Sequence, residues 1–169
     1  MRKVFIILSL MVCLLVLSSG CTDPQQVEDS NQATQSINLY FANQEATAVV
    51  AEKRELVNIS DQEAFIKLVL EELIKGPTSE DLGATIPETV KVQALTLENN
   101  LVYVDFSEEM HTDHWRGADS EIITIISIVN TLTDLPFIEE VKMTVNSEPM
   151  NIEHMFLDEP VKRNEMYLY

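Results

Sequence analysis

The sequence is poor in glycine, cysteine and positive charge, and each shortage closes off a class of function. Four glycines in 169 residues leave no material for a phosphate-cradling loop such as GxGxxG or GxxxxGK[ST]. Two cysteines, Cys13 and Cys21, are too few for a Cys-rich zinc module or a disulfide framework. Only 11 Lys and Arg stand against 28 Asp and Glu, a net charge of −17. The division is uneven. Residues 1–20 hold Arg2 and Lys3 and no acid, so the chain from residue 21 on carries 9 basic and 28 acidic residues, a net of −19. A surface that negative repels phosphate backbones, because nucleic-acid binding rests on Lys and Arg displacing counterions. It also avoids bare anionic lipid surfaces. No nucleic-acid partner is expected.

Long apolar runs are missing except at the start. Met1-Arg2-Lys3 leads into Val4 to Leu17, apolar throughout but for Ser9. That run is short for a bilayer span of roughly 20 residues and fits the charged-then-apolar plan of an export signal. Leu17-Ser18-Ser19-Gly20 then meet Cys21. The segment resembles a bacterial lipoprotein signal, in which the Cys becomes the mature N-terminus and takes diacylglycerol on its sulfur. The match departs at Ser18, where such signals prefer leucine. The other reading is an uncleaved N-terminal helix, and both place the domain outside the cytoplasm. With Cys21 lipidated, two acyl chains at about 0.8 kcal/mol per buried CH₂ give a stable anchor, and Cys13 leaves with the signal. Residues 22–36, TDPQQVEDSNQATQS, are too polar to order themselves and read as a flexible tether of roughly 20 Å r.m.s. span.

From residue 37 the pattern is that of one α+β domain. Ile37 to Phe41 and Ala46 to Val57 carry strand signals. Ser60-Asp61-Gln62-Glu63 fits a capping box and Gly76-Pro77 a stop. Between them Phe65, Ile66, Val69, Leu70 and Leu73 fall on one helical face, with Glu63→Lys67 and Glu71→Lys75 as i,i+4 pairs. Val90 to Leu97 and Leu101 to Phe106 alternate as half-buried strands around an Asn99-Asn100 hairpin turn. A second helix is expected over about Ser120 to Thr133, a strand over Ile138 to Asn146, and a last short strand within Pro149 to Glu159. The order β(β)αββαβ predicts an antiparallel or mixed sheet of four to six strands with two helices packed on one face. The domain is expected over residues 37–163, with a tail at 164–169.

The series Leu39-Tyr40-Phe41, Leu70-Glu71-Glu72-Leu73-Ile74-Lys75-Gly76-Pro77, Ile86-Pro87, Val102-Tyr103-Val104-Asp105-Phe106-Ser107, Gly117 and Ile128-Val129-Asn130-Thr131-Leu132-Thr133 resembles the GerM-type (GerMN) domain of sporulation and spore-germination proteins. The resemblance covers about Ile37 to Arg163. It implies an extracytoplasmic, membrane-tethered domain without known enzymatic activity, working through contacts with envelope or sporulation proteins and needing no cofactor. The chain departs from the family pattern in having one such domain where the sporulation protein has two. It also has Asn146-Ser147-Glu148 where a glycine turn is common.

Two places invite a site. Glu109, His111, Asp113 and His114 form the only stretch with metal-ligand chemistry, but zinc needs three or four preorganised ligands with outer support, so no metal site is expected there. A hydrolase or metal-binding lipoprotein using His111 and His114 is the rival function. No serine sits in a G-x-S-x-G elbow and S-x-x-K is absent, so no catalytic residue is assigned. Trp115 and Arg116 are residue types enriched in interface hot spots, though Trp115 suits a lid on the core equally. The second helix is apolar nearly all round, leaving a small uncharged face of Thr124, Ser127 and Thr131. It is either the central core helix or one that also meets a partner. Trp115, Arg116, Thr124, Ser127 and Thr131 are therefore the candidate partner contacts, and Asn130 is expected to bond nearby backbone.

Overall fold

Alternating apolar residues build the strands, and a computed structural model describes residues 33–115, 117–152 and 155–169. The signal, Cys21, most of the tether and Arg116 lie outside the described residues. Strand β1 (Thr34–Ala42) pairs antiparallel with β2 (Val49–Val57) as a separate two-stranded sheet. Helix α1 (Gln62–Ile74) follows. Next come β3 (Val92–Glu98) and β4 (Leu101–Phe106), the short helix α2 (Glu109–Thr112) and the long helix α3 (Ala118–Thr133). The chain closes with β5 (Glu140–Val145), β6 (Glu148–Ile152), β7 (Met155–Leu157) and β8 (Val161–Lys162). The larger sheet runs β3-β4-β5-β6-β7, with β8 also on β5. It is mixed: β4 and β5 are parallel, joined by the crossover that contains α3, and the other pairs are antiparallel.

Val102, Val104 and Phe106 of β4 and Val141, Met143 and Val145 of β5 are buried, while Tyr103 between them stays exposed. One face of the sheet is thus apolar, and α1 and α3 cover it, joining Phe65, Ile66, Val69, Leu70, Leu73, Ile128, Val129 and Leu132 to the same core. The α+β class, the mixed sheet and the helices on one face are as the sequence predicts. The hairpin β1–β2 is separate from that sheet because α3 packs along β1, where another strand would otherwise pair.

Several local expectations are corrected. The N-cap of α1 is Asp61, whose carboxylate accepts from the Ala64 amide at 2.9 Å. Ser60 does not cap it, and Glu63 instead accepts from the Leu97 amide on the edge of β3. Lys67 pairs with Glu71 at 4.0 Å and Lys75 with Glu72, in place of the two expected i,i+4 pairs. The first strand begins at Thr34, inside the stretch read as tether, because Thr34 to Ser36 pair with Val57 to Glu55. Residues 164–169 are no free tail either, since Leu168 forms a bridge with Val49.

Two turns show how the backbone copes without glycine. Asn99 and Asn100 have φ of 48° and 69°, the left-handed values of a tight hairpin. Asn146 and Ser147, at 51° and 67°, do the same between β5 and β6. There Asp105, next to the end of β4, accepts from the Ser147 amide at 2.8 Å and the Thr144 hydroxyl at 2.6 Å. That carboxylate holds the turn from the neighbouring strand.

Candidate interaction site

The small polar face of α3 turns inward. Thr124 and Ser127 are 0% exposed and Thr131 is 1%. The Tyr40 amide of β1 donates to the Thr131 hydroxyl at 3.0 Å, and the Ser127 hydroxyl donates to the Tyr40 carbonyl at 2.6 Å. Thr85 stands 2.6 Å from Ser127 and donates to it, since the Ser127 proton is committed to Tyr40. The Thr124 hydroxyl lies 2.6 Å from the Thr85 carbonyl. Ser127 and Thr131 stand in for a neighbouring strand at Tyr40, satisfying the backbone groups that β1 turns away from β2 there. Thr124, Ser127 and Thr131 are thus corrected from partner contacts to core fasteners, and α3 is the central core helix.

His114 joins the same network. Its Nδ1 donates to the Trp115 carbonyl at 2.7 Å and its Nε2 meets the Thr124 hydroxyl at 2.8 Å. A carbonyl can only accept, which fixes the proton of the neutral ring on Nδ1. Burial pushes the His114 pKa down, against the Trp115 carbonyl and the nearby Glu121 carboxylate, which pull it up, while His111 adds to the lowering. Its Nε2 is enclosed against the buried Thr124 hydroxyl rather than turned to solvent. Asp113 accepts from the Thr89 and Thr112 hydroxyls, which hold its carboxyl below the usual range. Among the described residues no three His, Cys, Asp or Glu side chains are gathered to hold a metal ion. The His111/His114 stretch is a buttressed turn whose two histidines part, His111 exposed and His114 buried.

Trp115 ends up outside. It is 45% exposed, with its ring set edge-on to His114 at 5.8 Å between centroids. Its carbonyl is gripped twice, by His114 Nδ1 and by the Ser120 hydroxyl at 3.0 Å. Gly117, with φ of 124°, supplies a backbone conformation that L side chains rarely adopt and lets the chain swing into α3. An aromatic on a fixed backbone has little conformational freedom left to lose on binding.

The residues that carry the family resemblance have identifiable structural work. Glu72 meets Arg54 at 3.2 Å, Leu73 is fully buried, and Gly76 closes α1 with φ of 87° while its carbonyl accepts from Arg54 at 2.9 Å. Asn130, fully buried, donates to the Asn164 carbonyl at 2.8 Å and accepts from its amide at 3.0 Å. It bonds backbone as expected, but 34 positions away. Sequence reasoning missed this clamp, and also Arg54, which bridges Glu52, Glu72 and Gly76 over the Phe41 ring. The sequence signal for Arg54 was weak: a half-buried cation beside Lys53 in β2, between Glu52 and Glu55.

A family model described as "Germane: Sporulation and spore germination" matches residues 38–151, well over half of the chain. The protein belongs to this family of domains related to sporulation and germination proteins. Among solved structures it is similar to the tandem GerMN domains of the sporulation protein GerM from Bacillus subtilis. The TM-score is 0.63 and the identity 25%, over 87% of this chain and 48% of that one. The chain therefore spans about half the length of that relative. The first GerMN domain of GerM alone gives a TM-score of 0.63 at 22% identity, over 77% of this chain and 98% of that one. A candidate lipoprotein from Clostridium perfringens gives 0.55 at 19%, over 77% and 88%. No curated protein matches. Among the described residues, no helix is long and apolar enough to cross a membrane.

Proposed function

We propose that the protein is an exported lipoprotein in which residues 1–20 are the signal, Cys21 carries the lipid, and a short tether holds one GerMN domain off the outer face of the cytoplasmic membrane. The domain works without catalysis, presenting a surface to envelope proteins of sporulation or germination. One observation carries this reading. The polar residues of the family series that reach inward, from Glu72 to Asn130 and Thr131, are engaged in holding the fold, while Trp115 stands exposed on a backbone gripped from two sides. Trp is among the residues most enriched in interface hot spots. The small residues before Cys21, and the likeness to a candidate lipoprotein, support the anchor.

Two experiments test the reading. Globomycin or Cys21→Ala should change processing and move the protein out of the detergent phase, and an unchanged processed form speaks against the lipid. Affinity capture from the protein's own membranes should recover a reproducible partner that Trp115→Ala loses. Equal recovery by both forms contradicts a Trp115-centred surface.

A further inference from the structure

Residues 163–169 are held to the domain as a bound peptide is held. Asn130 reads the backbone of residue 164 with both ends of its amide, accepting from the N–H at 3.0 Å and donating to the carbonyl at 2.8 Å. Val49 does the same with its own backbone: its N–H donates to the Tyr167 carbonyl at 2.7 Å, and its carbonyl accepts from the Tyr169 amide at 3.1 Å. The segment thereby adds one parallel bridge to the outer edge of β2, the hydrogen-bonding mode of strand addition.

Side chains at the two ends of the segment add selectivity. The Arg163 guanidinium lies 5.3 Å over the Tyr40 ring, donates to the Tyr40 hydroxyl at 2.8 Å and sits 3.5 Å from Asp134. Tyr167 packs with Leu168 on the apolar patch of Val49, Ile123 and Ile126. Between these anchors the side chains of Glu165 and Met166 face solvent, Met166 at 83% exposure. An apolar cavity of about 240 Å³ also remains beside Tyr167, on the side of α3 that faces β7 and β8, walled by Ile122, Ile125, Ile126, Val129, Leu157 and Val161. The family match ends at residue 151, so it includes α3 and β2, which form the seat, but not the segment that occupies it.

We infer that the groove between α3 and β2 is a peptide-binding site, closed in cis by residues 163–169. In trans it takes an extended peptide of the same chemistry, a cation followed four residues later by an aromatic. The groove offers such a peptide Asp134 for the cation, Asn130 and Val49 for the backbone, and the unfilled cavity for an aromatic larger than the one now present. The inference rests on the protein-binding reading for its use. It fails separately from that reading, because a partner seated on Trp115 would still be captured from membranes.

The test uses the full chain and a fluorescent, end-capped peptide of sequence Arg-Asn-Glu-Met-Tyr-Leu-Tyr. The resident segment competes with it, so Arg163→Ala in the protein, which loosens the segment, should tighten peptide binding by about tenfold or more as the competent fraction rises. Asn130→Ala, which damages the seat itself, should abolish binding. A second protein form, ending at Lys162, should remain folded and bind most tightly. Peptide binding that is absent from the full chain, from Arg163→Ala and from the folded form ending at Lys162 overturns the inference. So does a form ending at Lys162 that unfolds, since the segment is then an integral strand. A concentration-dependent dimer that the peptide dissolves makes a second copy of the chain the occupant and overturns a distinct partner.

Discussion

The Ser127 hydroxyl donates to the carbonyl of Tyr40 at 2.6 Å, 87 positions away in the sequence. With Thr131 receiving the Tyr40 amide, one side of a helix stands in for a β-strand along β1. Ser127→Ala leaves that buried carbonyl without its donor and should cost about 1–3 kcal/mol. Ser127→Thr, which keeps the hydroxyl, should recover part of it. Denaturant unfolding of the three forms checks this, and an unchanged midpoint in Ser127→Ala would remove the fastener role.

Glu52 ties β2 to the loop after α1. Burial alone would raise its pKa, but the Ser79 amide, the Arg54 guanidinium and the Thr78 amide more than offset this and hold it below the ordinary 4.5. A carboxylate with a depressed native pKa contributes stability above its unfolded value, and that contribution fades as pH falls through the native one. Urea midpoints should therefore drop on acidification below about pH 4.5. Glu52→Gln should be less stable at neutral pH and show a shallower decline. Parallel curves for the two forms would contradict the assignment.

His114 predicts a second pH dependence, at higher pH. Its native pKa lies below the ordinary 6.5 because burial disfavours the imidazolium. The folded state thus binds fewer protons than the unfolded one, and stability rises with pH. The contribution is complete above about 6.5 and is lost as pH falls from there toward the native value. Glu121, which faces the ring and favours its charged form, moderates the loss. Between about pH 7.5 and pH 5.5 the wild type should lose stability that His114→Gln does not. Identical slopes across that window would show that the ring is not held neutral.

Trp115 separates stability from recognition. With its ring nearly half exposed, Trp115→Ala should change unfolding free energy by no more than about 0.5 kcal/mol, yet cost a partner about 2 kcal/mol of binding if the ring is an anchor. Thermal melts and partner titration read the two effects independently. A large stability loss would make the residue part of the core instead.

How much of this the sequence revealed depends on how local the physics was. The hairpin at Asn99-Asn100 and the stop of α1 at Gly76 were readable because backbone conformation there is set by one or two residues. The apolar faces of α1, β4 and β5 were readable from their periods. The role of Thr124, Ser127 and Thr131 was not: a stripe of small hydroxyls looks alike whether it meets solvent, a partner or a strand edge. Its meaning lies in Tyr40, some ninety positions earlier. Asn130 shows the same limit, since composition suggested that it binds backbone but not that the backbone is that of Asn164. Trp115 lay at the margin, because a loop aromatic next to a helix can fold either inward or outward.

The central claim is that the domain meets its partner through the Trp115 surface while tethered at the membrane. A photo-crosslinking amino acid placed at position 115 of the full-length protein, in its own cells, tests this most directly, with Lys53 on the exposed side of β2 as the control position. The account predicts a defined protein adduct from position 115 in the membrane fraction and none from position 53. No adduct from position 115, or the same adduct from both positions, would contradict it.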